Sequence, residues 1–141
     1  MTLDERKALA LDLRKKGYNC AQSVVLAFPE LTGSDADLIA RMTSGLGSGV
    51  AGSKEICGVI TGMSVARGIR ESSAPEGKAA SAKACRVLMD EFAAQNGGRV
   101  RCADLKGQPG IKPCNELVLQ GVEILHKWLE ESSRNNEGDG R

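Results

Sequence analysis

The most informative segment of the sequence is "GLGSGVAGSKEICGVITG", residues 45–62, in which six glycines surround one lysine and one cysteine. Ser53 is a candidate N-cap, and the sequence after it predicts a helix, the fourth along the chain, over about 54–69. Gly58 and Gly62 lie one helical turn apart and therefore share one face of this helix. Because an interior glycine costs about 1 kcal/mol relative to alanine, we expect another helix or a bound group to approach this face closely.

The same glycines match two nucleotide-binding patterns in part. Residues 47–52, "GSGVAG", fit G-x-G-x-x-G, but that motif needs a preceding strand and a βαβ unit, whereas a helical pattern precedes it here. The P-loop pattern requires lysine followed by serine or threonine, and the chain has the reverse order, Ser53-Lys54. The sequence therefore favours a role in helix packing over nucleotide binding.

The rest of the chain predicts further helices and no sheet. Thr2 and Glu5 have capping-box spacing at the start of helix 1, and apolar residues recur with helical spacing in the segments that follow. Val100 lies in the one stretch that we expect to be extended. The sequence predicts an all-α fold, a compact single-domain bundle of about six helices over residues 1–131 with a glycine-rich loop before helix 4. The polar tail, residues 132–141, is predicted to fray.

The composition excludes several classes of function. The chain has 141 residues, 19 basic and 18 acidic side chains, a net charge of +1 and only four aromatic residues. It lacks the basic face and the aromatic stacking residues of a nucleic-acid-binding protein. Its charged N-terminal residues do not resemble a signal peptide, and its apolar runs are too short to cross a bilayer. We expect a cytoplasmic protein that is not inserted in a membrane, where five cysteines indicate redox or metal chemistry.

Three of the five cysteines lie at predicted helix N-termini. Cys57 falls in the first turn of helix 4, Cys20 follows the candidate N-cap Asn19, and Cys114 follows Pro113 at the start of the last helix. Unsatisfied N–H groups and the helix dipole favour a thiolate at such a position, although a free cysteine is also a common core residue. Cys57 is the first candidate for a reactive thiolate.

The other two cysteines have different surroundings. Cys102 lies among Arg99, Arg101 and Lys106, and nearby cations lower the pKa of a thiol. Cys85 lies in the middle of helix 5 beside apolar residues. We interpret Cys85 as a small core residue.

The cysteine spacing does not name a cofactor. The sequence contains no C-x-x-C, which is typical of thioredoxin-like pairs and zinc ribbons, and no C-x-x-C-H for covalently attached haem. Four cysteines brought together by folding could ligate zinc or an iron–sulfur cluster, or form one or two disulfides. His126, the only histidine, could activate a cysteine, but its place near the end of the last helix favours a partly exposed side chain that interacts with the helix dipole.

Four short segments, in their order along the chain, resemble a known family. They are "YNCAQSV", "ICGVITG", "RCADLKG" and "KPCNELV", and they are similar to the family of redox-active proteins named after the pattern C_GCAxxG_C_C. The resemblance implies that the family cysteines are Cys20, Cys57, Cys102 and Cys114. It also implies that Gly58 and Gly62 are the motif glycines, which would let backbone approach a cofactor. Val59 replaces the alanine of the motif Cys-Gly-Ala-x-x-Gly, and Cys85 has no family counterpart.

The resemblance implies redox activity, and the residues leave its mechanism open. Our leading hypothesis is a small redox protein whose four family cysteines converge and are its catalytic residues. They either cycle between dithiol and disulfide or, as metal ligands, hold an iron–sulfur cluster or another metal for electron transfer. The alternative is a thiolate carrier or sensor of Cu(I), Zn or an Fe–S cluster without turnover, and a helical interaction module with buried thiols is the structural alternative. The expected partner is a redox protein or a soft metal ion. The sequence leaves open whether the glycine face of helix 4 packs within the chain or against a second chain in a homodimer.

Overall fold

The structure, a computed structural model, describes residues 1–71 and 74–138, and its regular elements there are helical. The α-helices are α1 (Leu3–Lys15), α2 (Cys20–Val25), α3 (Pro29–Thr32), α4 (Ala36–Met42), α5 (Gly58–Ile69), α6 (Lys78–Gln95), α7 (Cys102–Leu105) and α8 (Cys114–Gly138). Single 3₁₀ turns cover Gly33–Asp35, Ser44–Leu46 and Pro75–Gly77. The described residues form no strand, so the prediction of an all-α fold is confirmed.

Capping boxes fix the starts of the first two helices. The Thr2 hydroxyl accepts a hydrogen bond from the Glu5 N–H at 3.1 Å, and the Glu5 carboxylate accepts one from the Thr2 N–H at 3.1 Å. Asn19 and Gln22 form the same reciprocal pair at the start of α2. The Asn19 amide also donates to the carbonyl of Thr43 at 3.2 Å. This bond ties the N-terminus of α2 to the segment that precedes the glycine-rich loop.

The core lies between α2, α5 and α8, with α1 and α6 packed around them. Phe28, which directly precedes α3, and Phe92 of α6 are both fully buried, as is Met63 of α5. One side of the last helix is buried as well, at positions Leu117, Val118, Val122, Ile124 and Leu125. Burial of each such side chain stabilises the fold by about 1.5–3 kcal/mol. Helices α5 and α8 therefore contribute much of the hydrophobic core against which the other helices pack.

The predicted start of helix 4 was wrong. This helix, α5, begins at Gly58 rather than near residue 54, and the Ser53 hydroxyl donates to the carbonyl of Gly49 instead of capping a helix. The chain is extended just before α5, because the Cys57 N–H donates to the Val100 carbonyl at 2.8 Å. Cys57 is therefore the N-cap residue of α5 and not part of its first turn.

The glycine-rich loop makes a left-handed turn. Backbone φ is positive at every residue from Ser48 to Gly52, including Val50 at 70°. Such a conformation costs an L-residue about 1–2 kcal/mol, and here hydrogen bonds such as Lys54 N–H to the Ser48 carbonyl, at 2.9 Å, close the turn. At Gly49, where φ is 73°, an added Cβ would lie 2.7 Å from the Lys54 carbonyl carbon. Only glycine leaves room for the chain to cross itself at this point.

The last helix continues past residue 131, where we placed the start of a frayed tail. Helix α8 extends to Gly138. An i,i+4 ion pair between Arg134 and Glu130, with nitrogen and oxygen 4.0 Å apart, lies on this exposed extension and supports helix there. The rest of the predicted tail, residues 139–141, lies outside the described residues.

Candidate functional site

Four of the five cysteines lie at the N-terminal ends of four different helices and line one cavity. Cys20, Cys102 and Cys114 are the first residues of α2, α7 and α8, and Cys57 caps α5. The cavity has a volume of about 80 Å³. Its lining is formed by Arg14, Asn19, Cys20, Ser48, Cys57, Gly58, Val59, Cys102, Leu105, Lys106, Cys114 and Leu117. Thus the chain folds its four widely separated family cysteines around a single small space.

Cys85 lies elsewhere. It is half-buried in the middle of α6, and its thiol is 3.9 Å from the carbonyl of Ser64 on α5. It does not line the cysteine cavity. The expectation that Cys85 differs from the other four agrees with this placement, although its side chain is only half-buried rather than part of the core.

The two motif glycines bring α2 and α5 together. A Cβ at Gly62 would lie 2.7 Å from the carbonyl oxygen of Ala21 and 3.1 Å from the Cβ of Val24. A Cβ at Gly58 would lie 3.1 Å from the Cβ of Cys20. Close approach of another helix, one of the two explanations offered by the sequence, therefore accounts for both glycines. Gly58 also forms part of the cavity wall, where backbone is open to a bound group.

The glycine face of α5 is occupied within the chain. Because α2 covers Gly58 and Gly62, and Ala66 further along α5 is fully buried, this face is not available to a second chain. Of the two arrangements that the sequence left open for this face, packing within the chain is the one observed, and a homodimer stays a prediction that would need another surface.

Val59, the departure from the family motif, is accommodated by a glycine on another helix. A Cβ at Gly121 of α8 would collide with the Cγ1 of Val59. The additional methyl groups of Val59 thus occupy space that Gly121 leaves free. The substitution need not displace the neighbouring cysteines.

Burial controls the chemistry of Cys57. Its side chain is only 6 % exposed, and this burial raises the pKa of its thiol to about 12. The backbone N–H groups of Val59 and Ile60 act in the opposite direction but are outweighed, and the neighbouring Cys20 and Cys102 add to the increase. The helix N-terminus led us to expect a lowered pKa, and in this structure desolvation dominates over the helix terminus.

Cys20 has a more mixed environment. Burial is the main effect and raises the pKa of its thiol, while the guanidinium of Arg14 lowers it. The Arg14 Nη1 atom is 3.7 Å from the Cys20 Sγ atom. Cys20 is half-buried, as is Cys114, whereas Cys57 and Cys102 are buried. The cavity therefore has two more accessible and two less accessible thiols.

Two cations belong to the cavity wall, and the sequence identified only one of them. Lys106, which we expected beside Cys102, lines the cavity and donates to the Ser48 hydroxyl at 3.4 Å. Arg101, also expected there, instead pairs with a surface carboxylate. Arg14, the second cation of the wall, was missed because it precedes the turn at Gly17. Because the chain reverses at this turn, the end of α1 lies beside the start of α2, and Arg14 contacts Cys20.

A sequence profile described as "Putative redox-active protein (C_GCAxxG_C_C)" matches residues 18–128, which is more than half of the chain. The chain belongs to this family. No curated protein and no solved structure matches the chain. None of the helices in the described part of the chain is both long and apolar enough to cross a membrane.

The cysteines of this C_GCAxxG_C_C protein share a cavity without forming a set of metal ligands as they stand. Within residues 1–71 and 74–138, no three side chains of His, Cys, Asp or Glu are grouped so that they could hold a metal ion.

His126 lies away from the cysteines, in a buried polar network. Its Nδ1 atom accepts a hydrogen bond from the Nε of Arg6 at 3.2 Å, and its Nε2 is 3.0 Å from a carboxylate oxygen of Glu130. Arg6 is only 2 % exposed, and it also pairs with Glu30 and donates to the carbonyl of Ala27. The expected role of His126, a partly exposed residue at a helix end, was wrong, since the side chain is buried in the middle of α8. A Cys–His pair is not formed at the cavity, because His126 does not line it.

Proposed function

We propose that this C_GCAxxG_C_C protein works by dithiol–disulfide exchange at the cysteine cavity. The observation that carries the proposal is the placement of the cysteines. Four thiols from four helices line one cavity of about 80 Å³, while the fifth lies outside it. Thiols that share a space this small are near enough to exchange with a common substrate, which scattered core cysteines are not.

The difference in burial suggests an order of events. The half-buried Cys20 or Cys114 attacks one sulfur of an entering disulfide, which forms a mixed disulfide and releases one half of the substrate as a thiolate. A second cavity cysteine then attacks the protein sulfur of the mixed disulfide and releases the other half. The two thiol protons pass to the two leaving thiolates, so that the protein loses two electrons and the substrate disulfide becomes two thiols.

Cys57 fits the second of these attacks better than the first. The sequence favoured it as the reactive thiolate, but its burial and its raised pKa disfavour a free thiolate before the substrate binds. The Cβ of Cys20 lies beside Gly58, the residue that follows Cys57. Once a mixed disulfide has formed at Cys20, the thiol of Cys57 is therefore near it. We therefore assign Cys57 the role of the resolving cysteine.

Binding of a soft metal ion is the second candidate function. The donor set is suitable in kind, because four thiols line one cavity and thiolates prefer ions such as Cu(I) and Zn(II). The four cavity cysteines would hold the ion, and a cation among them would relieve the repulsion that neighbouring thiolates exert on each other. It ranks second because the side chains are not arranged as a ligand group.

The test is a thiol count before and after oxidation, on protein purified without air and without a metal-carrying tag. Dithiol–disulfide exchange predicts that an added small disulfide lowers the number of free thiols by two or four, with release of two substrate thiols for each internal disulfide. Cys57→Ser should slow formation of the internal disulfide and make a mixed disulfide accumulate on the protein, whereas Cys85→Ser should oxidise normally. Equal effects of the two substitutions would contradict the proposal. Near-integral Zn or Cu that is lost on replacing Cys57 would support the second candidate instead.

A further inference from the structure

We propose that the cysteine cavity selects anionic substrates of low molecular weight, namely disulfides or thiols that carry a carboxylate. This inference rests on the dithiol–disulfide exchange proposed above and specifies the class of substrate. It is carried by the charges of the cavity wall rather than by the cysteines.

The wall is positively charged. Of the described residues that line the cavity, Arg14 and Lys106 are cations and none is a carboxylate. The acidic residues nearest in sequence do not line the cavity: Asp104 and Glu116 are exposed, and Glu55 is paired with Arg101. A substrate carboxylate would therefore meet two cations without a competing anion in the wall.

Arg14 is held in place for such a contact. Its Nε donates to the Asn115 side chain at 2.9 Å, and its Nη1 donates to the Tyr18 carbonyl at 3.2 Å and points to Cys20. Arginine has five N–H donors, and among the described residues these bonds occupy three. The two donors on Nη2 are left for a ligand, directly beside a half-buried thiol. A substrate whose carboxylate binds to Nη2 would have its sulfur near Cys20.

Two long helices add to the positive potential. The N-termini of α5 and α8 both lie at the cavity, where Cys57 and Cys114 form part of the wall. The N-terminal end of a helix carries roughly half a positive charge. This contribution comes from backbone and does not depend on the protonation of any cysteine.

The size of the cavity limits the substrate. A volume of about 80 Å³ exceeds the roughly 10–15 Å³ that one water molecule needs by several-fold. It accepts the end of a small molecule but not a folded segment of a protein. The cavity size therefore favours a small disulfide or thiol as the substrate at this site.

The experiment compares three symmetrical disulfides of similar size: dithiodipropionate, which is anionic, hydroxyethyl disulfide, which is neutral, and cystamine, which is cationic. The rate at which each oxidises the reduced protein is divided by its rate with free mercaptoethanol, which removes differences in intrinsic reactivity. We expect the normalised rate to be about threefold to tenfold higher for the anionic compound than for the neutral one, and lower again for the cationic one. High salt should reduce the difference, since it screens the charges.

Three variants connect this preference to the wall. Lys106→Gln removes an exposed side chain and should not disturb folding, and it should lower the ratio of anionic to cationic rates by at least about twofold. Arg14→Gln should lower it further. Lys83→Gln makes the same charge change on the exposed surface of α6 and should leave the ratio unchanged.

The outcomes are distinguishable. Oxidation by all three disulfides at equal normalised rates would overturn the substrate class while leaving dithiol–disulfide exchange intact. A preference for the cationic compound, or a ratio that Lys83→Gln lowers as much as Lys106→Gln does, would also overturn it. A failure of all three compounds to oxidise the cavity cysteines would overturn both proposals.

Discussion

Replacing Gly62 by alanine tests how α5 packs against α2. The new Cβ would lie 2.7 Å from the Ala21 carbonyl oxygen and 3.0 Å from the Ala21 Cα. Both atoms belong to the backbone of α2, so the helices must separate to relieve the contact. Overpacking of this kind costs about 1–3 kcal/mol, while alanine gains about 1 kcal/mol in helix propensity over glycine. Since backbone does not yield as a flexible side chain does, we expect a net loss of about 1–2 kcal/mol.

Gly68 provides the matched control for this change. It lies in the same helix, and a Cβ there would meet nothing within 4 Å. Gly68→Ala should therefore stabilise the protein by about 0.5–1 kcal/mol. Urea unfolding of the reduced protein, followed by far-ultraviolet circular dichroism, measures both variants. The two should differ by about 1.5–3 kcal/mol, and Gly62→Ala should also slow internal disulfide formation, since it moves Cys20 away from Cys57. If Gly62→Ala stabilises the protein as much as Gly68→Ala does, the close packing of α2 on α5 is refuted.

Three further predictions concern Cys57, the buried ion pair and the loop. Burial raises the pKa of Cys57 from 9.0 to about 12, so between these pH values the unfolded chain loses this proton while the folded chain keeps it. The free energy of unfolding of the reduced protein should then fall by up to about 1.4 kcal/mol per pH unit, and an equally steep fall in Cys57→Ala would contradict this. Glu30→Gln removes the counter-charge of the buried Arg6, but the Glu30 side chain is 39 % exposed, so we expect a loss of about 1–2 kcal/mol at pH 7. Burial acts to raise the pKa of Glu30, but the hydrogen bond and the charge of Arg6 lower it overall. The loss of stability in Glu30→Gln, measured by urea unfolding, should therefore vanish as the pH falls and wild-type Glu30 becomes protonated. A loss of stability that is independent of pH would argue against the ion pair. Gly49→Ala places a Cβ against the loop backbone at a positive φ and should cost at least about 2 kcal/mol, whereas Gly52→Ala, with a similar φ and open space around it, should cost about 1 kcal/mol by the same measurement. Equal losses at the two glycines would refute the tight crossing of the chain at Gly49.

The features that could be predicted from the sequence are those that depend on neighbouring residues. The Thr2 capping box and the Asn19 N-cap each involve residues at most three positions apart, so the starts of α1 and α2 could be predicted. The spacing of Gly58 and Gly62 is likewise local, and it correctly indicated that another helix approaches that face of α5. The all-α fold followed from such patterns.

The features that were missed depend on residues far apart in the chain. The start of α5 is set by the hydrogen bond from Cys57 to Val100, 43 residues later by their numbering. His126 is buried by a partner, Arg6, which lies 120 residues earlier. The pKa of Cys57 is another example, because the helix terminus is visible in the sequence but the burial that outweighs it comes from the assembled core.

The origin of the cavity cysteines in four separate helices links oxidation to the stability of the whole fold. A disulfide between Cys20 and Cys57 would close a loop of about forty residues, and in the chain-entropy account such a cross-link destabilises the unfolded state by about 4 kcal/mol. Thermodynamic reciprocity then requires that folding favours the disulfide by the same amount, so its reduction potential would be more negative in the folded chain than in the unfolded one. Because the packing of α2 on α5 sets how near Cys20 lies to Cys57, this helix contact would be one determinant of that reduction potential.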